Sequence, residues 1–279
     1  MKKLFLFLVL FTSQFINATW ITSFDEAQKL SLATNKFIVV DFWATWCGPC
    51  KKMDYDSWSD KEVGIILQDY IQLKIDIDTN RELASKYDIK SIPNMFIMDG
   101  NGKVVYSFLG YRNATELKKE IEKFAISTEF LSTDLINYYK KNSFNTCARV
   151  AQKYLDYTLL VDNEFKSNIL KVSDEYLSEA KKDLSKKDDD YNEKHQKLEL
   201  LELFRFAYSL NFTKLEKKLV QFKEIDILEN NLNYYYFLNY MVAKGLGKEN
   251  FAEIDSKYKL IEGFDEFIKK SELILFKKV

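Results

Sequence analysis

Between Tyr111 and Lys244 the chain contains neither glycine nor proline. These are the two residues that most strongly interrupt helices, so such a stretch is constrained to long helices joined by short turns. The turn-forming residues gather near the start instead. Five of the eight glycines lie at or before Gly110, and the two prolines are Pro49 and Pro93. The chain therefore divides near residues 126–130 into a turn-punctuated N-terminal domain and a helical C-terminal one, residues 127–279. A length of 279 residues suits two domains, and 47% apolar residues supply their cores. With 41 basic residues against 42 acidic, the basic excess of a nucleic-acid binder is missing.

Residues 1–18 read as a signal peptide: Lys2 and Lys3, an apolar run from Leu4 to Phe11, then a polar stretch ending in Ala18. The run is short for a membrane span, so an uncleaved anchor is the less favoured reading. No cysteine follows it directly, which argues against lipid attachment. The expectation is an exported protein, in the bacterial periplasm. Three cysteines are too few for a disulfide-stapled scaffold, so those present are candidates for chemistry.

The N-terminal part alternates helix and strand. Ser23 and Glu26 open a helix with a capping-box spacing. "FIVVDFW" (37–43) is a β-branched apolar run broken by one acid, Asp41, and predicts a buried central strand. Helix is expected from Pro49 to Tyr70 with a break near Trp58, where Ser59 and Glu62 fit a second capping box. Strand 71–77, a short helix 80–88, a hairpin 94–110 turning at Asp99–Gly102 and a helix 113–125 follow. The order α-β-α-β-α-β-β-α predicts a compact α/β sandwich.

Cys47 and Cys50 are separated by Gly48 and Pro49. A structural zinc site needs four ligands, and Cys147 and His195 are the remaining Cys and His, both far along the chain, so no metal is expected. As a staple the pair is poor, because so small a loop removes little unfolded-state entropy. A redox pair has a physical cause for each part. Cys47 begins a helix, where free N–H groups and the helix dipole favour thiolate. Pro49 suits the first helical turn. Cys50, one turn on and more buried, can resolve a mixed disulfide made by Cys47. Asp41 in an apolar strand is costly without a purpose, and taking the Cys50 proton is such a purpose.

"VVDFWATWCGPCKK" resembles the active-site segment of thioredoxins, and "SIPNMFI" resembles the cis-proline loop of that family. The likeness spans roughly residues 20–126 within an expected domain at 19–126. It implies an α/β thioredoxin fold, an α/β/α sandwich with a central mixed sheet, followed by an all-α C-terminal domain. It also implies that Trp46 frames a substrate surface and that Pro93, beside Ile92, is cis and faces the cysteines. Lys74 in "LKIDID" and Gly110 match family positions, and Lys74 meets Asp41 if their strands are neighbours. "MDYDSWSDKEVGIILQDY" departs from a plain thioredoxin helix and resembles the periplasmic thioredoxin-like domain of transmembrane thiol–disulfide interchange proteins. The implied partners are protein thiols and disulfides and an electron-donor protein, membrane-bound or soluble. The redox-active disulfide Cys47–Cys50 stands in place of any cofactor.

The favoured function is disulfide reduction, because Gly48-Pro49 resembles reducing thioredoxins. Two alternatives stay open: an oxidant or isomerase of secreted proteins, and an interaction protein whose helices recruit partners to a thioredoxin scaffold. Phe144, Cys147, Ala148, Ala151, Tyr154 and Leu155 share a helix face, so Cys147 reads as a small buried hydrophobe, with a third redox thiol as the sharper alternative. His195 lies in a charged, exposed stretch. An aromatic helix (232–248) is expected to end at Gly245 and Gly247, and repeat-like helical hairpins are conceivable without a repeat signature.

Overall fold

The computed structural model describes residues 20–276, so the signal-peptide segment expected at 1–18 lies outside the described residues. The N-terminal half contains α1 (Phe24–Thr34), β1 (Phe37–Trp43), α2 (Gly48–Met53), α3 (Lys61–Ile66), β2 (Tyr70–Asp76), α4 (Arg81–Lys86), β3 (Asn94–Met98), β4 (Val104–Leu109) and α5 (Ala114–Glu122). The strands form one mixed sheet in the order β2-β1-β3-β4. β1 runs parallel to β2 and antiparallel to β3, and β3 and β4 form the expected hairpin.

β1 is buried along both faces, and its period of two separates two cores. Phe37 and Val39 join Met53, Trp58, Leu117 and Ile121. Ile38, Val40 and Phe42 join Ala27, Leu73 and Ile75 on the other side. Asp41 has the parity of Phe37 and Val39, so its carboxylate enters the layer covered by α2.

The break expected near Trp58 is present and divides the stretch into two helices. α2 runs into a π-turn, Asp54–Trp58, before α3 restarts the chain direction. The cap of α3 is Asp60, not Ser59. The Asp60 carboxylate accepts from the N–H groups of Glu62 at 2.9 Å and Val63 at 3.1 Å. Ser59 instead donates its hydroxyl back to the Tyr55 carbonyl. A carboxylate at this position satisfies free N–H groups and meets the positive end of the helix dipole together.

The C-terminal half is helical throughout: α6 (Ser132–Lys140), α7 (Phe144–Tyr157), α8 (Lys166–Asp183), α9 (Tyr191–Tyr208), α10 (Phe212–Leu219), α11 (Leu232–Leu246), α12 (Phe251–Tyr258) and α13 (Asp265–Phe276). Gly247 alone ends α11, in the left-handed conformation that favours glycine. Gly245 is inside the helix. A Cβ there would lie 2.4 Å from the Phe212 ring, so this glycine serves the close approach of α10 to α11. Among the described residues no helix is long and apolar enough to cross a membrane.

The halves share a core. One cluster of buried side chains runs from Phe37 through Phe124 and Phe165 to Ile274, with the Phe124 and Phe165 rings 5.0 Å apart. The polar centre of the junction is Asp99, fully buried in the β3–β4 turn. One carboxylate oxygen accepts from the N–H groups of Asn101 and Lys103, each at 2.9 Å. The other accepts from the hydroxyls of Tyr154 on α7 and Tyr176 on α8, at 2.8 and 2.7 Å. Burial pushes the Asp99 carboxyl up, and these four bonds oppose the shift. Beside it, Glu179 on α8 receives both Lys103 and the Tyr138 hydroxyl.

Hydrogen bonds to a charged group contribute about 1.5–3 kcal/mol. Tyr154→Phe should therefore lower unfolding stability by roughly 2 kcal/mol in urea melts. An unchanged midpoint would show that Asp99 does not depend on this hydroxyl.

Candidate active site

β1 delivers the chain to a short turn, and α2 begins at once. Cys47 is its N-cap, in extended conformation, and its Sγ accepts from the Cys50 N–H at 3.1 Å. Cys47 and Cys50 are joined, with an S–S distance of 1.99 Å. Both are buried, Cys47 at 3% exposure and Cys50 at 1%, packed with Ala44 and against Trp43, Ile77 and Ile92. Gly48 and Pro49 are exposed. A Cβ on Gly48 would meet nothing within 4 Å, so local packing does not demand a glycine there.

Ile92 packs against the cysteine cluster, and the Ile92–Pro93 peptide bond is cis. Gly110, with φ +89, donates its N–H to the Pro93 carbonyl at 2.9 Å, which draws the end of β4 to this loop. Trp46 is 65% exposed beside Cys47, and its indole N–H donates to Asp78 at 2.9 Å. Trp46, Gly48, Pro49, Ile92, Pro93 and Gly110 thus come together at one end of the sheet.

A charged cluster lies beneath. Asp41 and Lys74 are opposite each other in the β1–β2 pairing, with Lys74 Nζ 3.7 Å from Asp41 Oδ2. The same ammonium makes a closer ion pair with Asp54 on the π-turn. It also lies 5.3 Å from the Trp20 ring centre and 5.5 Å from that of Trp43. Trp20 packs edge-on against Trp58 at 5.0 Å. Burial pushes the Asp41 carboxyl up to about 7; Lys74 pulls it down and Asp54 pushes it further up. The Trp58 indole N–H faces this carboxylate from outside hydrogen-bonding geometry. An acid with a midpoint near neutrality can both accept and release a proton under ordinary conditions.

Asp54, Trp20 and Trp58 were not legible as site residues in the sequence. The available signal for Asp54 was its place four residues after Cys50, one helical turn along the same face. Nothing local tells that a lysine from β2 reaches it.

The other candidates lie apart. Cys147 is fully buried in α7 with its thiol pushed up to about 11 by burial, and its Sγ–H donates to Asn142 at 3.2 Å. It fills a helix face, as Phe144, Ala148, Ala151, Tyr154 and Leu155 do. His195, in α9, is 3.4 Å from Glu199. Among the described residues no three His, Cys, Asp or Glu side chains gather to hold a metal ion.

The thioredoxin family model matches residues 19–123. A thioredoxin of Mycoplasmoides gallisepticum is 38% identical over 99 residues, covering 36% of this chain and 94% of that protein. A Bacillus subtilis thioredoxin is 37% identical over 98 residues, covering 34% and 90%. The chain belongs to the thioredoxin family. Its N-terminal half has the thioredoxin fold, and it is a thioredoxin-like thiol–disulfide oxidoreductase. Among solved structures, the oxidised C-terminal domain of Neisseria meningitidis DsbD is 23% identical, covers 38% of this chain and 99% of its own, and has a TM-score of 0.33. The thioredoxin match stops at Lys123, so the helices from α6 onward lie outside it.

The Asp41 environment sets a pH dependence for the thioredoxin half. An acid whose midpoint is raised on folding favours the folded state while protonated. That contribution is present below about pH 4 and is lost as pH rises through about 7. Asp41→Asn should therefore be more stable than wild type at pH 8 by on the order of 2 kcal/mol, with a smaller advantage at pH 5. Asp99, Asp174 and Glu175 are also raised but are common to both proteins, so they cancel in the difference. Equal differences at the two pH values in urea unfolding would remove Asp41 as the source.

Proposed function

We propose that this protein is an exported reductase of protein disulfides. The observation that carries the reading is the Cys47–Cys50 pair at a helix N-terminus, directly after the strand that holds the buried Asp41. In the proposed reaction, the Cys47 thiolate attacks a substrate disulfide and one substrate sulfur leaves as a thiolate. The Cys50 thiol then gives its proton to Asp41. The resulting thiolate attacks Cys47 Sγ, the Cys47–Cys50 bond forms, and the second substrate sulfur departs and takes up a proton. Two electrons pass to the substrate, and a donor protein must return them.

The exposed ring of Trp46 and the loop at Ile92–Pro93, closed by Gly110, offer a surface for an extended substrate strand next to the disulfide. Lys74 supports Asp41 from the neighbouring strand. Export rests on the signal-peptide pattern of residues 1–18.

The helices leave this end of the sheet open. β3 starts at Asn94, directly after Pro93, and leads to the Asp99 turn, about 17 Å away at the rise of a strand. Tyr154 and Tyr176 hold that far end. Any recognition by the helical half therefore acts at a distance from the disulfide, on a part of the partner remote from the bond being reduced.

Two measurements test the reading. The reduction potential of the full chain should lie near the thioredoxin value of about −270 mV. A value near −120 mV, that of strong oxidants, would reverse the proposed direction. Cys50→Ser should leave Cys47 covalently joined to its protein substrate, and recovery of no mixed disulfide from exported proteins would count against a protein substrate.

A further inference from the structure

We propose that Asp54 is a positioning residue for the resolving step: it holds the Lys74 ammonium off Asp41, so that the Asp41 carboxylate stays available to take the Cys50 proton. The inference rests on the reading of Asp41 as proton acceptor and adds a residue that this reading does not use.

One ammonium serves two carboxylates. Lys74 Nζ is in direct contact with Asp54 Oδ1 and 3.7 Å from Asp41 Oδ2. The two acids differ in surroundings. The Asp41 side chain is 2% exposed, whereas that of Asp54 is 36% exposed. Burial alone would draw the ammonium to Asp41, because attraction between charges is stronger where water is excluded. The structure shows the opposite preference. The ammonium lies over the Trp20 and Trp43 rings and makes its closest ion pair with Asp54.

The placement also ties the lysine to the resolving thiol. Asp54 is one turn beyond Cys50, and its backbone N–H donates to the Cys50 carbonyl. The residue that locates Lys74 thus belongs to the same stretch of helix as the group that must lose a proton. Without Asp54, the flexible lysine would close on Asp41 and make a buried ion pair. Asp41 would have to surrender that pairing in order to accept a proton, and a carboxylate tightly paired in low dielectric is a weak base. The charged or titratable groups facing Asp41 are Lys74 from β2, Asp54 from the π-turn and, once reduced, the thiols of α2; Met95, its register partner on β3, carries no charge.

The test separates the two half-reactions in the full chain. Reduced protein is mixed with dithiobis(nitrobenzoate). Attack by Cys47 releases one thionitrobenzoate anion and leaves the other bonded to Cys47. Attack by Cys50 then closes the protein disulfide and releases the second. Stopped-flow absorbance gives both rates from about pH 5 to about pH 9. In Asp54→Asn the inflection of the second phase should fall by about one pH unit and its rate at neutral pH by several-fold, with the first phase little changed. Asp56→Asn, which removes another carboxylate from the same turn, should leave the inflection in place. In a Lys74→Gln background the effect of Asp54→Asn should largely vanish, since it acts through the lysine.

Wild-type second-phase behaviour in Asp54→Asn overturns the proposal. So does an equal shift in Asp56→Asn, or a shift undiminished in the Lys74→Gln background, because each would make Asp54 one surface charge among several. Asp41→Asn separates the two levels of inference. Loss of the inflection in that variant upholds Asp41 as the acceptor whatever Asp54 does, and its persistence overturns the reading of Asp41 and the role of Asp54 with it.

Discussion

Every functional feature of this protein is placed by the pairing of β1 with its two neighbours. β1 is paired on both sides and packs apolar side chains along both faces. It can therefore take no side chain that lacks a place in one of the two cores, and a charged one is tolerated only with compensation. Its parallel register with β2 supplies that compensation by setting Lys74 opposite Asp41. Its antiparallel register with β3 brings the Ile92–Pro93 loop to the end where Cys47 emerges. A slip of one residue would turn Asp41 into the opposite core and send Lys74 away from it.

The helical half is joined to this sheet more closely than a two-domain division suggests. Phe124, Phe165 and the rest of the shared cluster form an apolar junction, and the Asp99 carboxylate is satisfied only by donors from both halves. A buried carboxylate that lost its two tyrosine hydroxyls would carry a desolvation cost with half its compensation. The β3–β4 turn thus depends on α7 and α8 as part of its own fold. This junction lies at one end of β3 and the disulfide at the other, where, among the described residues, Trp43, Ala44, Ile77 and Ile92 of the thioredoxin half pack on it.

Beneath the disulfide the protein keeps an odd number of charges. Two acids share one lysine, and Trp20, Trp43 and Trp58 pack around the cluster they form. A balanced pair would hold Asp41 ionised and inert at neutral pH. Burial pushes the Asp41 carboxyl up, Lys74 opposes the shift, and the second acid adds to it. That state is costly to the fold, and under the proposed mechanism it is useful to proton transfer.

Much of this was written locally. The apolar run from Phe37 to Trp43, the Cys47–Cys50 spacing before a proline, and the absence of glycine and proline from Tyr111 to Lys244 determine strand, redox pair and helices. Each rests on backbone preferences or on groups a few residues apart. Where local chemistry offers two solutions, sequence does not choose: Ser59 and Asp60 can both cap α3, and the carboxylate does so because it also meets the helix dipole. Gly245 and Gly247 can both end α11, and the contact with Phe212 reserved the first for packing. The tertiary structure alone decided that Asp54 captures Lys74 and that Asp99 binds the two halves together. Those contacts join residues 20, 55 and 77 positions apart. Their energy comes from excluding water around charges, and no stretch of sequence shows which charges will be buried together until the chain has packed.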